Sequence, residues 1–153
     1  MRLRVLLAAI VVSVFPLAFI GGSPVNSAGA SVGCYGDYCS GKDPVSTGCA
    51  NGAITVSATN FAGGRLELRW SPICKSNWAR MEIYPGGFAY TLSAVQDTGY
   101  SQNEQWAAGT PGPGTYWTYM IYSPVHRVQA RATGTCYGLF DCAVNGQIQT
   151  NWG

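Results

Sequence analysis

Apolar residues fall at every second position through the middle of this chain. From Arg65 to Trp70, Leu66, Leu68 and Trp70 lie on one face while Arg65, Glu67 and Arg69 lie on the other, the alternation of a half-buried strand. Ile54 and Val56 alternate with small or polar neighbours across Ala53 to Ala58, and Asn60 to Gly64 reads as the turn between these two strands. Met81 to Tyr84 is strand-like and ends at the turn Pro85-Gly86-Gly87. Phe88, Tyr90, Leu92 and Ala94 then alternate with Ala89, Thr91, Ser93 and Val95, and Tyr116 to Tyr122 and Val125 to Ala132 supply two further strands. Thr110 to Gly114 is loop, because Pro111, Gly112, Pro113 and Gly114 cannot sustain a ladder. One segment departs from the pattern: Ser71-Pro72 fits a helix N-cap followed by proline at the first helical position, which predicts one or two helical turns over Ile73 to Ala79. The expected fold is all-β and mostly antiparallel, a small sandwich or partly open barrel with one short helical turn, stapled by disulfides.

The N-terminus follows different rules. Arg2 and Arg4 precede an apolar run from Val5 to Phe15, then Pro16 and a short tail to Ile20. This is the pattern of a secretory signal peptide, and Ala28-Gly29-Ala30 offers the small residues of a cleavage site. Residues 1–30 are therefore expected to be the signal, and 31–153 a single secreted domain. An uncleaved anchor is disfavoured by Pro16 and by a run short of the ~20 apolar residues a span needs. Lipid attachment at Cys34 is disfavoured too, since Ser31 stands where a large aliphatic residue belongs and the cysteine count would become odd. Past residue 30, the remaining basic residues, from Lys42 to Arg131, match the acidic ones in number. A neutral domain without a basic cluster argues against nucleic-acid binding and against stable membrane association after cleavage.

All of the cysteines lie beyond the signal: Cys34, Cys39, Cys49, Cys74, Cys136 and Cys142. Closing neighbours costs least chain entropy, which favours Cys34–Cys39, Cys49–Cys74 and Cys136–Cys142, although spacing leaves a swap among the first four open. Zinc is the rival use of clustered cysteines. The sequence has no CxxC pair and a single histidine, His126, so no metal and no cofactor are expected.

Several short motifs occur in order: Gly33-Cys34, Gly41-Lys42-Asp43-Pro44, Thr47-Gly48-Cys49, Leu66 through Cys74 (LELRWSPIC), and Asn77-Trp78-Ala79-Arg80. The series resembles the domain-of-unknown-function 2690 family, which is made largely of exported proteins and implies no biochemical activity. In that resemblance Cys136 and Cys142 look like an addition to a four-cysteine pattern, which implies that they pair with each other and that the first four form a closed set.

Catalytic chemistry finds little support in the motifs. His126 and Ser123 have no Gly-x-Ser-x-Gly elbow beside them, and Glu67, Glu82, Asp97 and Glu104 show no spacing that marks a carboxylate pair. A rigid inhibitor or toxin-like effector would present a tense loop, at Pro111 to Gly114 or between Cys136 and Cys142. Aromatic residues favour a third class. Trp70, Trp78, Trp106, Trp117 and Trp152 with a Tyr-rich strand exceed what a small core readily hides, so Tyr116, Trp117, Tyr119, Tyr122 and Trp106 are the expected ligand-binding residues. The expected function is a secreted, non-catalytic binding protein whose partner is an extracellular protein or a cell-surface glycan, with a small hydrolase or an inhibitor as alternatives. Glu67 and Arg69, with Arg80 beyond the turn that contains Trp78, read as a structural clamp made by an ion pair or an Arg-over-Trp stack, and Lys42-Asp43-Pro44 as either a capped turn or a binding loop.

Overall fold

The computed structural model describes residues 31–103, 112–136 and 147–153, the side chains of 88–90 and 134–136 excepted. Strands β1 (Ile54–Phe61), β2 (Gly64–Ser71), β3 (Ser76–Ile83), β6 (Gly114–Trp117) and β7 (Ile121–Tyr122) form one antiparallel sheet. Strands β4 (Gly87–Gln96), β5 (Ser101–Asn103), β8 (Val128–Cys136) and β9 (Gln147–Gln149) form the other. The order is β1-β2-β3-β6 in the first sheet, with β7 also on β3, and β5-β4-β8-β9 in the second. The two sheets face one another as a sandwich rather than a closed barrel.

The alternation in the sequence explains which face is inside. Leu66 and Leu68 of β2 and Ala79, Met81 and Ile83 of β3 point at Leu92 and Ala94 of β4 and Val128, Ala130 and Ala132 of β8, and all are buried in one cluster. Glycine sets how closely the sheets join at one end. A Cβ on Gly87 would meet the Gly63 carbonyl oxygen at 2.3 Å, so the β1–β2 turn and the start of β4 can touch only without a side chain there.

Residues 73–79 are not a helix. The capping bond does form, with the Cys74 N–H donating to Ser71 Oγ at 3.3 Å, but Lys75 then adopts a left-handed backbone (φ 54°) and the chain reverses. From Ser76 to Ile83 the apolar residues Ala79, Met81 and Ile83 repeat with period two, and the segment pairs with β2 on one side and β6 and β7 on the other. Ladder bonds on both edges and a buried inner face outweigh the local helix signal. The helical turn lies elsewhere, as a 3-10 turn at Gly36–Cys39.

Other boundaries also differ from the pattern, and Gly114, expected in the loop, opens β6 opposite Ile83. The first hairpin turns at Ala62 and Gly63, so β1 runs on to Phe61. The stretch Tyr116 to Tyr122 is broken because Thr118 to Met120 leave the sheet: the Thr118 hydroxyl accepts from Ala79 N–H, and Met120 exchanges backbone bonds with Gly41 and Lys42 at 2.9 Å each. Val125, 82% exposed, belongs to the connection that precedes β8.

The bridges Cys34–Cys39 and Cys49–Cys74 are both present. The second ties the N-terminal segment 31–53 to the β2–β3 turn, so that this segment lies over the outer face of the first sheet. There the cysteines pack with Trp78 and Met120 in a second buried cluster. The Cys136–Cys142 pairing, Trp106, Glu104, Pro111 and the leader 1–30 lie outside the described residues. Among the described residues no helix is long and apolar enough to cross a membrane.

The bridge with the longer loop, spanning 25 residues, dominates on the loop-entropy account. Replacing Cys49 and Cys74 by Ala is expected to lower the unfolding free energy by about 3 kcal/mol, and replacing Cys34 and Cys39 by about 2 kcal/mol. Urea unfolding checks both, and equal losses would contradict the loop-length ordering.

Candidate functional site

The outer face of the first sheet carries the residues that point away from the core. Register places Glu67 of β2 opposite Arg80 of β3, Arg80 opposite Trp117 of β6, and Arg69 opposite Trp78. Because β3 is a strand, Trp78, Arg80 and Glu82 share this face with Arg65, Glu67 and Arg69. The N-terminal segment covers one side and leaves a cleft of about 290 Å³ lined by Val45, Ala50, Arg69, Trp78, Arg80, Thr115 and Trp117.

Asp43 positions that cover. Its Oδ1 accepts the N–H groups of Val45 and Ser46 at 2.8 and 2.7 Å, capping the turn, while its Oδ2 accepts the Trp117 indole Nε1–H at 2.9 Å. One carboxylate therefore folds the loop and orients a cleft ring. Partial burial works against its charge, but the Ser46 N–H, the Trp117 indole and the Val45 N–H together hold the carboxyl below the usual aspartate range. The Lys42-Asp43-Pro44 motif is thus a structural corner of the cleft, with Lys42 bonded to Met120 and Pro44 fully buried.

Glu67 holds the arginines of the cleft. Arg80 Nη1 approaches Glu67 Oε2 at 2.7 Å, Arg65 Nε approaches Oε1 at 3.0 Å, and Arg69 stands 3.8 Å away. Desolvation pushes the Glu67 carboxyl up, yet the bonds from Arg80 and Arg65 and the charges of Arg80 and Arg69 outweigh it and hold it low. Arg69 also donates to Thr55 Oγ1 and to the Ala53 carbonyl. A guanidinium has five N–H donors; among the described residues Arg69 donates to Thr55 and Ala53, and Arg80 to Glu67. Two fixed guanidinium groups beside indole rings suit a ligand that joins an anionic group to a flat or apolar ring face.

Of the expected ligand-binding residues, Trp106 lies outside the described residues and the other four are placed differently from one another. Trp117 lines the cleft, whereas Tyr116, its neighbour along β6, turns inward to pack on the inter-sheet core and donates its hydroxyl to the Gly112 carbonyl. Tyr119 is exposed in the break between β6 and β7, and Tyr122 is half-buried in β7, opposite Ser76 of β3. Arg69, Trp78 and Arg80 join Trp117 instead. The signal that would have found them is the period-two pattern of residues 76–83, which puts Trp78 and Arg80 on the face of Arg69.

A second cleft, about 330 Å³, opens at the end of the sandwich and includes Trp70, Asn77, Ser123, Val125, His126 and Arg127. His126 Nδ1 lies 3.2 Å from Asp97 Oδ1, but the Ser123 hydroxyl donates to Asn77 Oδ1 at 2.6 Å. The serine proton is directed at an amide oxygen and not at an imidazole, so the hydrogen bond of a nucleophile to its base is unmade here.

The family described as a protein of unknown function (DUF2690) matches residues 37–132, more than half of the chain. The chain belongs to the DUF2690 family. Every residue of the Arg–Trp cleft falls inside the DUF2690 match, as do three of the four bridge cysteines, Cys34 being the exception. No curated protein and no solved structure matches the chain.

Glu67→Gln removes the anion among three guanidinium groups and is expected to cost about 1.5–3 kcal/mol, the range for hydrogen bonds to charged groups. Because the native carboxyl is held low, its stabilisation is complete above the ordinary glutamate pKa and is lost as pH falls toward the lowered native value. Urea unfolding of both proteins across the acid range checks this, and the gap between them should close as pH falls. A gap that stays constant would contradict the clamp.

Proposed function

We propose that this protein is an exported binding module that captures an anionic glycan in the cleft between its bridged N-terminal segment and the first sheet. The observation that carries this reading is the lining of that cleft, in which Arg69 and Arg80 stand beside Trp78 and Trp117. Sugar rings present apolar faces that stack on indoles, and carboxylate or phosphate groups accept paired N–H bonds from guanidinium. A polymer combining rings and anions, such as a cell-surface glycan, offers both.

Export agrees with the signal-like leader and with bridges of a kind that persist in oxidising surroundings. Binding without turnover agrees with the state of Glu67. The ion pairs with Arg80 and Arg65 favour the charged form of this acid, which disfavours it as a general acid.

Retention of the purified protein on insoluble peptidoglycan that carries phosphate-rich polymers, compared with the same material stripped of them, tests the reading. Wild type should be retained on the first and largely released from the second, and added salt should weaken it. Trp117→Ala should bind at least about tenfold more weakly, a loss of ~1.4 kcal/mol. Trp117→Phe, which keeps a ring, should fall between the two. Equal retention of Trp117→Ala, or no retention of wild type, would overturn the proposal.

A further inference from the structure

The four cysteines of the two bridges form one cluster and not two separate staples. Their Sγ atoms all lie within 4.8 Å of one another. Cys34 Sγ and Cys49 Sγ, which belong to different bridges, approach to 3.5 Å. Neither sulfur carries a hydrogen while bridged, so this is a van der Waals contact. Cys39, Cys49 and Cys74 are fully buried and Cys34 nearly so.

The backbone that gathers these sulfurs is also held by bonds that do not involve them. Gly33 N–H donates to the Thr47 carbonyl at 2.7 Å, Ala50 N–H to the Pro44 carbonyl at 2.8 Å, and Gly41 and Lys42 pair with Met120 at 2.9 Å. Cys74 is fixed in the β2–β3 turn by Ser71 Oγ. Asp43 adds its hold on the turn and on Trp117. The four positions therefore stay close when the sulfur–sulfur bonds open.

A zinc ion bound to four thiolates at about 2.3 Å sets its sulfurs about 3.8 Å apart at tetrahedral angles. Reaching that from the present spacing takes sulfur movements on the order of 1 Å, within the reach of small side-chain rotations. Cys34 and Cys39 also have the four-residue spacer found between paired zinc ligands.

We infer that the reduced cluster Cys34, Cys39, Cys49 and Cys74 is a four-thiolate site for a zinc-type divalent cation. A dithiol reductant supplies two electrons and two protons to each bridge and is itself oxidised to a disulfide, leaving four thiols. Metal uptake then forms four metal–sulfur bonds and releases four protons to solvent. The N-terminal segment thus has two alternative clamps over the first sheet: a pair of disulfides in oxidising surroundings, or one metal ion in reducing ones.

The test uses the full protein reduced with a dithiol under anaerobic conditions, freed of reductant and titrated with Zn²⁺ or Co²⁺. The expected result is one metal per chain, the intense thiolate-to-cobalt absorption and visible bands of a tetrahedral sulfur site, proton release, and a near-ultraviolet circular dichroism that keeps the signature of packed Trp78. The oxidised protein should take up none at this site. A Cys34→Ser, Cys39→Ser variant retains the Cys49–Cys74 bridge for folding and, once reduced, offers two ligands. It should bind more weakly by over the roughly 100-fold that losing an outer-shell partner costs. Equal metal binding by the oxidised protein or by this variant, a pale oxygen-type cobalt spectrum, or uptake only with loss of the near-ultraviolet signal would overturn the inference.

Discussion

The anchoring of the N-terminal segment over the first sheet decides whether that sheet has a cleft at all, and the Cys49–Cys74 bridge is its covalent part. Segment 31–53 contains no strand and only one short 3-10 turn, so backbone ladders cannot anchor it. Its anchors are the covalent link to the β2–β3 turn, the backbone exchange between Lys42 and Met120, and the Asp43 bond to Trp117. They reach the β2–β3 turn, the break between β6 and β7, and β6 itself. Together they hold Val45 and Ala50 over the arginine–tryptophan face and turn an open surface into a walled site.

The charged cluster behind the cleft arginines shows how a polar sheet face becomes ordered. Surface ion pairs on strands usually contribute little. Here one carboxylate, Glu67, with a nearly buried side chain, meets three arginines from two strands, so the guanidinium groups are fixed in place before any ligand arrives. Preorganisation of this kind lowers the ordering cost of binding. The bland role of the cluster as a strut and its role in the cleft are therefore compatible: the strut is what aims Arg80.

Much of the sandwich was legible in the alternation. Leu66 and Leu68 against Arg65, Glu67 and Arg69 gave the inner and outer faces of β2 directly, and the pairing of the first four cysteines by nearest neighbours agrees with the structure. The errors came where a local signal met a longer-range one. Ser71-Pro72 caps a turn in either outcome, and only the pairing of Ser76 to Ile83 with strands on both sides decides that the chain continues extended. The cleft was hidden for the same reason. A helical turn over 73–79 places Trp78 and Arg80 near Glu67 and Arg69 but on no shared strand face, and strand parity is what aligns them and sends Tyr116 to the core.

The central claim is that the Arg69, Trp78, Arg80 and Trp117 face beneath the bridged segment is where ligand sits. Titration of isotope-labelled protein with a soluble, phosphate-bearing glycan fragment, followed by nuclear magnetic resonance of indole Nε1–H and arginine Nε–H signals, tests it most directly. Saturable shifts should concentrate on the Trp117 and Trp78 indoles and on Arg69 and Arg80. Shifts centred on Val125, His126 and Trp70 in the second cleft, or no shifts at any concentration of the fragment, would contradict it.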